Sequence, residues 1–159
     1  MKIPLAAHIN CLNGYSVCYF KDKNYKEEVP AHYYITIPTK TKNYLILCMI
    51  SSKWEKKLNY YEKVNKKCLS SLIFVEKSEL NFLTKRSVID CNAVEHFSKD
   101  SLKNRIDSGS YKFVTESISD GLKIKIINAI NSSPQVKPFI KEDLFFKVLT
   151  KMHDLAQKS

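Results

Sequence analysis

The sequence predicts an α+β protein, in which a mostly antiparallel β-core within residues 30–92 is flanked by helices. Runs rich in β-branched and aromatic residues, separated by polar turns, are typical of strands and continue as far as residue 92. Beyond that point, apolar residues recur at helical spacing. The chain has 159 residues, the size of one ordinary domain, so we predict a single domain over residues 1–159.

Two neighbouring runs predict a β-hairpin. Residues 32–38 are aromatic and β-branched, and residues 39–43 form a polar connection. Residues 44–50 are apolar without alternation, which is typical of a central strand buried on both faces. Three shorter runs predict further strands: residues 16–20, 69–75 and 87–92.

Three helices are predicted after the β-core, over residues 98–107, 117–131 and 142–157. The second has apolar residues every four positions: Ile118, Leu122, Ile126 and Ile130. The third is a terminal amphipathic helix. Serines are the candidate N-caps of the first two, namely Ser98 for one and either Ser117 or Ser119 for the other.

The charge balance indicates a polyanionic partner. The chain has 26 Lys and Arg residues against 16 Asp and Glu residues, a formal net charge of +10. A field of this sign attracts phosphates, and counterion release then favours binding. We therefore predict that the partner is a nucleic acid or an acidic protein.

The cysteines and the hydropathy indicate a cytoplasmic protein without a membrane segment. The five cysteines are odd in number and form no CxxC pair, so we expect buried, reduced thiols such as Cys48, Cys68 and Cys91. The four histidines do not combine with them at zinc-finger spacings. No run approaches the ~18 apolar residues of a spanning helix, and the N-terminus does not resemble a secretory signal.

Residues 53–67 combine lysines with aromatic rings. A single nucleic-acid strand binds such surfaces, because its bases stack on the rings while its phosphates meet the ammonium groups. The alternatives are a solvated helix whose tyrosines pack on the core, or a long basic loop. The predicted nucleic-acid-binding residues are Lys53, Trp54, Lys56, Lys57, Lys66, Lys67 and, further along the chain, Lys85.

Four segments occur in an order that is similar to one known family. The segments are 44–50 followed by Ser51 and Ser52, then 84–92, then 100–106, and finally Phe113 and Val114 followed by 118–130. Over about residues 30–132 they resemble the MazF/PemK-type toxins, which are mRNA interferases. The first segment is similar to the I-T-S strand end of that family. The last is similar to its closing helix.

The resemblance implies a small SH3-like antiparallel β-barrel, MazF/PemK/CcdB-like, with flanking helices. It also implies a homodimer that cuts single-stranded RNA without a metal or other cofactor, and an acidic antitoxin as partner. In the family, a Ser or Thr at the I-T-S strand end and an Arg near the first strands carry the chemistry. The former corresponds to Ser51 or Ser52. Residues 29–32 stand in the place of the Arg.

The candidate catalytic residues follow from what metal-independent RNA cleavage requires. A 2′-hydroxyl must lose a proton, the leaving oxygen must gain one, and the developing negative charge needs a cation. Histidine transfers protons near neutral pH. The candidates are His32, Ser51, Ser52 and Arg86. Their alternative roles are a partly exposed strand residue for His32, turn formation for the serines and a solvated loop for Arg86.

The sequence therefore predicts a toxin-like, RNA-directed protein, an endoribonuclease of a toxin–antitoxin or phage-defence system. The alternative is a basic binding module, without catalysis, for nucleic acid or an acidic protein. No metal site is predicted, because Asp90, Glu95 and His96 lack a further ligand.

Overall fold

The computed structural model of the protein describes residues 4–12, 14–24, 29–114 and 118–144. They form a seven-stranded sheet with helices, so the predicted α+β class is confirmed. The strands are β1 (Ser16–Phe20), β2 (His32–Pro38), β3 (Tyr44–Ser51), β4 (Leu72–Val75), β5 (Ser87–Asp90), β6 (Glu95–Ser98) and β7 (Lys112–Val114). The helices are α1 (Leu5–Cys11), α2 (Trp54–Val64), α3 (Lys99–Arg105), α4 (Asp120–Ser132) and α5 (Pro138–Glu142). Within these ranges, no helix is long and apolar enough to cross a bilayer.

The strands are ordered β4-β5-β3-β2-β1-β7, and β6 also pairs with β3. Every pairing between these strands is antiparallel. The predicted hairpin is confirmed as β2 and β3, from Tyr33 opposite Ile50 to Pro38 opposite Leu45. Its connection contains Asn43 at φ 67°, a left-handed conformation that asparagine tolerates. No pairing among the described strands joins β4 to β7, so they form an open sheet and not a closed barrel.

Strand β3 shares its second edge between β5 and β6. Ile50 lies opposite Ile89 of β5, whereas Leu47 lies opposite Glu95 of β6. Between these two pairings lie two residues of β3, Cys48 and Met49, but five residues, 90–94, of the chain that pairs with it. The predicted strand 87–92 consequently ends at Asp90, because the chain leaves the sheet there before β6 rejoins it.

The inserted residues are tied to two neighbouring elements through Asn92, which is buried. Its Nδ2 donates to the carbonyl of Cys68 at 2.9 Å, and its Oδ1 accepts the hydroxyl of Ser133 at 2.7 Å. The insertion is thus a fixed part of the fold.

Both faces of the sheet are covered. Ile35 and Ile46 belong to the main core, to which α4 contributes Ile126, Ile127 and Ile130. The alternate residues Tyr34, Leu45 and Leu47 pack on the other face with residues from α1 and α3. This arrangement confirms that β3 is a central strand buried on both faces, as its unbroken apolar run indicates.

Several predicted boundaries shift in the structure. The first half of the predicted strand 69–75 belongs to a 3₁₀ helix, Lys66–Ser71, whose start is fixed by Asn65 accepting the N–H of Lys67 at 3.0 Å. Of the alternatives for residues 53–67, the helix is observed as α2. Ser98 and Ser119 cap α3 and α4. Beyond residue 144, the predicted helix 142–157 lies outside the described residues.

The predicted buried thiols are confirmed, since Cys48, Cys68 and Cys91 are free and inaccessible.

Side-chain hydrogen bonds join the C-terminal end of α5 to strand β6 and to the connection between β2 and β3. His96 Nε2 lies 2.8 Å from Asp143 Oδ2, and the Thr41 N–H and hydroxyl donate to Asp143 Oδ1 at 2.8 and 2.7 Å. Tyr44 stacks on the His96 ring. Burial alone raises the pKa of Asp143, but the bonds from His96 and Thr41 outweigh it and bring that pKa below its ordinary value.

We expect Asp143→Asn to destabilise the protein at neutral pH and to matter progressively less in acid. A carboxyl whose pKa is lowered by folding stabilises the fold fully above its unfolded pKa of about 3.9 and loses this contribution as the pH falls through the folded value. Urea denaturation of both proteins at pH 5, 4 and 3 checks this, with Thr41→Val as a control that keeps the charge. A difference in unfolding free energy that stays constant over this range contradicts the expectation.

Candidate nucleic-acid interface

Several predicted site residues meet at a cavity of about 550 Å³ at one end of the sheet. His32 begins β2 and Ser51 ends β3, so the antiparallel register of the hairpin places them side by side. Helix α2 then follows β3 and brings its first turn over the same opening. The cavity is lined by Val29, Pro30, His32, Met49, Ser51, Lys53, Lys56, Lys57, Tyr60 and Tyr61.

A smaller cavity of about 200 Å³ adjoins the first and shares His32, Ser51 and Lys53 with it. Ser52 and Lys85 line this second opening. The two cavities together bring in seven of the eleven predicted site residues: His32, Ser51, Ser52, Lys53, Lys56, Lys57 and Lys85.

The surroundings of His32 favour its neutral form. It is half-buried, and its Nδ1 is inaccessible and has no hydrogen-bond partner among the described residues. Burial lowers the pKa of His32, a backbone contact with Pro30 offsets this in part, and the charges of Lys53 and Lys57 lower the pKa further. The neutral imidazole is therefore favoured over its charged form.

The two serines differ in their surroundings. Ser51 is buried, and its Oγ accepts the N–H of Lys53 at 3.2 Å, which fixes the chain where α2 begins. This is the turn role that is the alternative to catalysis for Ser51. Ser52 is exposed beside it. Both hydroxyls are within a site where a phosphate ester would find donors.

The electrostatics of the site favour anions. Four lysines line the two cavities, and none of the described residues that line them is acidic. Low-dielectric walls with charges of one sign attract counter-charged ligands. Tyr60 is 53% exposed and offers an aromatic face next to Lys56 and Lys57.

Asp90 is the site residue that sequence reasoning missed. Only 1% of its side chain is exposed, and its Oδ2 accepts the hydroxyl of Tyr61 at 2.8 Å and lies 3.2 Å from Lys57 Nζ. Burial, followed by this bond to Asp90, raises the pKa of Tyr61, so the phenol stays protonated. Lys57 and Tyr61 one helical turn apart are visible in the sequence, but their partner on β5 is not.

The structure places Arg86 and Trp54 outside the lining of both cavities. Arg86 Nε lies 3.1 Å from Glu76 Oε1, and its guanidinium stacks on Trp54 and Phe74 at 4.9 and 4.8 Å from the ring centroids. Catalysis by Arg86 and base stacking on Trp54 stay predictions. The exposed Lys66 also lies outside the lining, as does its neighbour Lys67.

Within the described ranges, no three His, Cys, Asp or Glu side chains are grouped so that they would hold a metal ion. What the two cavities offer chemically is one imidazole, four ammonium groups, four tyrosine phenols and four aliphatic hydroxyls, those of Ser51, Ser52, Thr84 and Ser87.

No protein-family model matches the chain, and no curated protein matches it significantly. The chemistry of the site therefore has to be inferred from the residues that line it.

Proposed function

We propose that the protein is a toxin-like, RNA-directed protein and that its cavity is the site of a metal-independent endoribonuclease. The observation that carries this proposal is that His32, with a lowered pKa, faces the same cavity as Lys53, Lys56 and Lys57. A neutral imidazole and clustered cations are two of the requirements for cleaving a phosphodiester next to a 2′-hydroxyl.

In the proposed reaction, His32 takes the proton of the 2′-hydroxyl and the 2′-oxygen attacks the adjacent phosphorus. The bond to the 5′-oxygen breaks, and that oxygen takes a proton from water. The products are a 2′,3′-cyclic phosphate and a 5′-hydroxyl end. The lysine ammonium groups stabilise the negative charge that develops on the phosphorus oxygens.

Unpaired RNA is the substrate that we propose, because Tyr60 presents a ring on which a splayed base can stack. The MazF/PemK-type resemblance, an SH3-like arrangement of the open sheet and a cytoplasmic location belong to the same proposal. So do a homodimer and an acidic antitoxin-like protein, which would bind the lysine surface in place of RNA.

The second candidate is a binding module without catalysis. It is favoured by Arg86, because its guanidinium is engaged by Glu76 and the two aromatic rings and does not line the cavities. In that case the lysines hold RNA, DNA or an acidic protein, and the lone imidazole of the two cavities transfers no proton.

Incubation of the purified protein with single-stranded RNA in the presence of EDTA separates the two candidates. The enzyme gives fragments with 5′-hydroxyl and 2′,3′-cyclic phosphate ends. The same sequence as DNA is a matched control, since it lacks the 2′-hydroxyl and should be bound but not cut. Intact RNA, with binding that weakens as salt is added, overturns the enzyme and supports the module.

We expect Lys53→Gln/Lys56→Gln to flatten the dependence of RNA affinity on salt by about one to two units of slope. Each phosphate contact on a single strand contributes about 0.7 to the slope of log affinity against log salt. The matched control is Lys66→Gln/Lys67→Gln, the same charge change outside the cavities. A salt titration by fluorescence anisotropy compares the variants. An unchanged slope in the first variant removes the cavity from the RNA-binding surface.

A further inference from the structure

Lys57 differs from the other lysines of the cavity. Its Nζ lies 3.2 Å from Asp90 Oδ2, and 32% of its side chain is exposed. Lys53 and Lys56 are exposed, and no described carboxylate lies within ion-pair distance of either. One ammonium group in the lining of the larger cavity is thus held by an ion pair within the described ranges, whereas its two neighbours are not.

Asp90 is itself immobilised. The N–H of Asn92 donates to its Oδ1 at 3.0 Å, and the Tyr61 hydroxyl donates to its Oδ2 at 2.8 Å. Burying a carboxyl group almost fully costs free energy unless hydrogen bonds or an ion pair compensate, as they do for Asp90. It lies at the end of β5, just before the chain leaves the sheet for residues 91–94. The anchor is therefore part of the rigid core.

The anchored lysine and the tyrosine both line the cavity. Lys57 and Tyr61 are four residues apart on α2, so they lie on one face of the helix, above Asp90. A free lysine loses much rotamer freedom when it binds a phosphate. A lysine that is already fixed loses less, and it meets the phosphate at one defined position.

We propose that Asp90 is a positioning residue that fixes the Lys57 ammonium as the defined contact of the reacting phosphate. Lys53 and Lys56 then act as mobile counter-charges for the strand around it. This inference rests on the proposed endoribonuclease function and assigns different tasks to lysines that look equivalent in the sequence.

The variant Asp90→Asn isolates the effect on Lys57. The asparagine Oδ1 can still accept the N–H of Asn92. Its amide can donate to the Tyr61 oxygen, in a hydrogen bond of reversed direction, and the ion pair with Lys57 is lost. We expect kcat for RNA cleavage to fall at least tenfold while KM stays the same or decreases. KM does not rise, because removing a negative charge beside the cavity strengthens its attraction for RNA.

A matched control is Asp22→Asn, which breaks the ion pair of another buried carboxylate, that of Asp22 with Arg105, outside the lining of both cavities. We expect its kcat to stay within about threefold of the unaltered protein. Melting temperatures of both variants show whether a loss of activity reflects a loss of folded protein. A structural role for Asp90 predicts parallel losses in both variants, together with lower melting temperatures.

A second readout does not depend on cleavage. Brief treatment with an amine-acylating reagent, followed by peptide mass spectrometry, compares the labelling rates of Lys57 and Lys56. We expect Lys57 to react several-fold more slowly than Lys56 in the unaltered protein, and the ratio of the two rates to move closer to one in Asp90→Asn.

The outcomes separate the inference from the proposed function. Unchanged kcat in Asp90→Asn, or unchanged Lys57 labelling in this variant, overturns the positioning role even if the protein cleaves RNA. Failure of the unaltered protein to cleave RNA overturns the proposed function, and with it the role in catalysis. Slow labelling of Lys57 that depends on Asp90 then supports the anchoring alone.

Discussion

His32→Ala is expected to reduce kcat for RNA cleavage by about 10²–10⁴-fold, the usual contribution of a general acid or base. RNA affinity should change little, because the lysines that attract the strand stay in place. The site has no second imidazole in the lining of its two cavities that could replace the first.

The pH dependence gives an additional check on His32. Its pKa is lowered by burial and by Lys53 and Lys57, so the active neutral form is present from below pH 6.5 upward. We therefore expect kcat/KM to increase with pH in the acid range and to level off before neutrality. Ser52→Ala serves as a control, since it alters an exposed hydroxyl of the same site. Full cleavage by His32→Ala would assign the proton transfer to another group.

Arg105→Met is expected to lower the free energy of unfolding by about 3 kcal/mol, the cost of leaving a buried charge without its partner. Arg105 Nη2 lies 2.6 Å from Asp22 Oδ2, and Nη1 lies 3.1 Å from Glu95 Oε2. Only 7% of the Asp22 side chain is exposed. Methionine keeps the apolar contact with Phe97, on which the guanidinium stacks at 4.3 Å. The decrease in the free energy of unfolding therefore reports on the loss of the ion pairs with Asp22 and Glu95.

The matched control lies on the same helix. Lys103→Met breaks the ion pair with Asp100, whose side chain is 92% exposed, and should cost less than about 1 kcal/mol. Urea denaturation of the two variants gives both values. Equal losses of unfolding free energy would mean that the contacts of Arg105 with Asp22 and Glu95 stabilise the fold no more than the exposed ion pair does.

The sequence predicts the elements that depend on local chemistry. The unbroken apolar run of β3 and the β-branched run of β2 indicate a hairpin, and the structure contains it. Ser98 is recognisable as an N-cap because a serine hydroxyl accepts a backbone N–H of the first helical turn. For α4 the sequence leaves Ser117 and Ser119 open, and the structure shows Ser119.

The 3₁₀ helix Lys66–Ser71 and the insertion at residues 91–94 are not predictable in the same way. The apolar end of the segment 69–75 is strand-like, but its first part is fixed by tertiary contacts, such as the bond from Cys91 N–H to the Ser71 carbonyl at 3.0 Å. Tertiary packing here overrides local preference.

The candidate site also contains some contacts that the sequence predicts and others that it does not. His32 and Ser51 are predictable as neighbours, because an antiparallel hairpin brings the start of β2 beside the end of β3. Lys57 on α2 and Asp90 on β5 are far apart in sequence. No local pattern predicts that their side chains form an ion pair.

The length of β3 offers a practical way to observe binding. At about 3.3 Å per residue, Tyr44 lies on the order of 20 Å from Ser51 at the cavity. The connection before β3 is exposed at Lys42. A fluorophore attached there stands clear of the opening yet within energy-transfer range of a dye on a bound oligonucleotide. Comparing energy transfer for oligonucleotides that carry the dye at the 5′ end or at the 3′ end then shows in which direction the strand lies in the cavity.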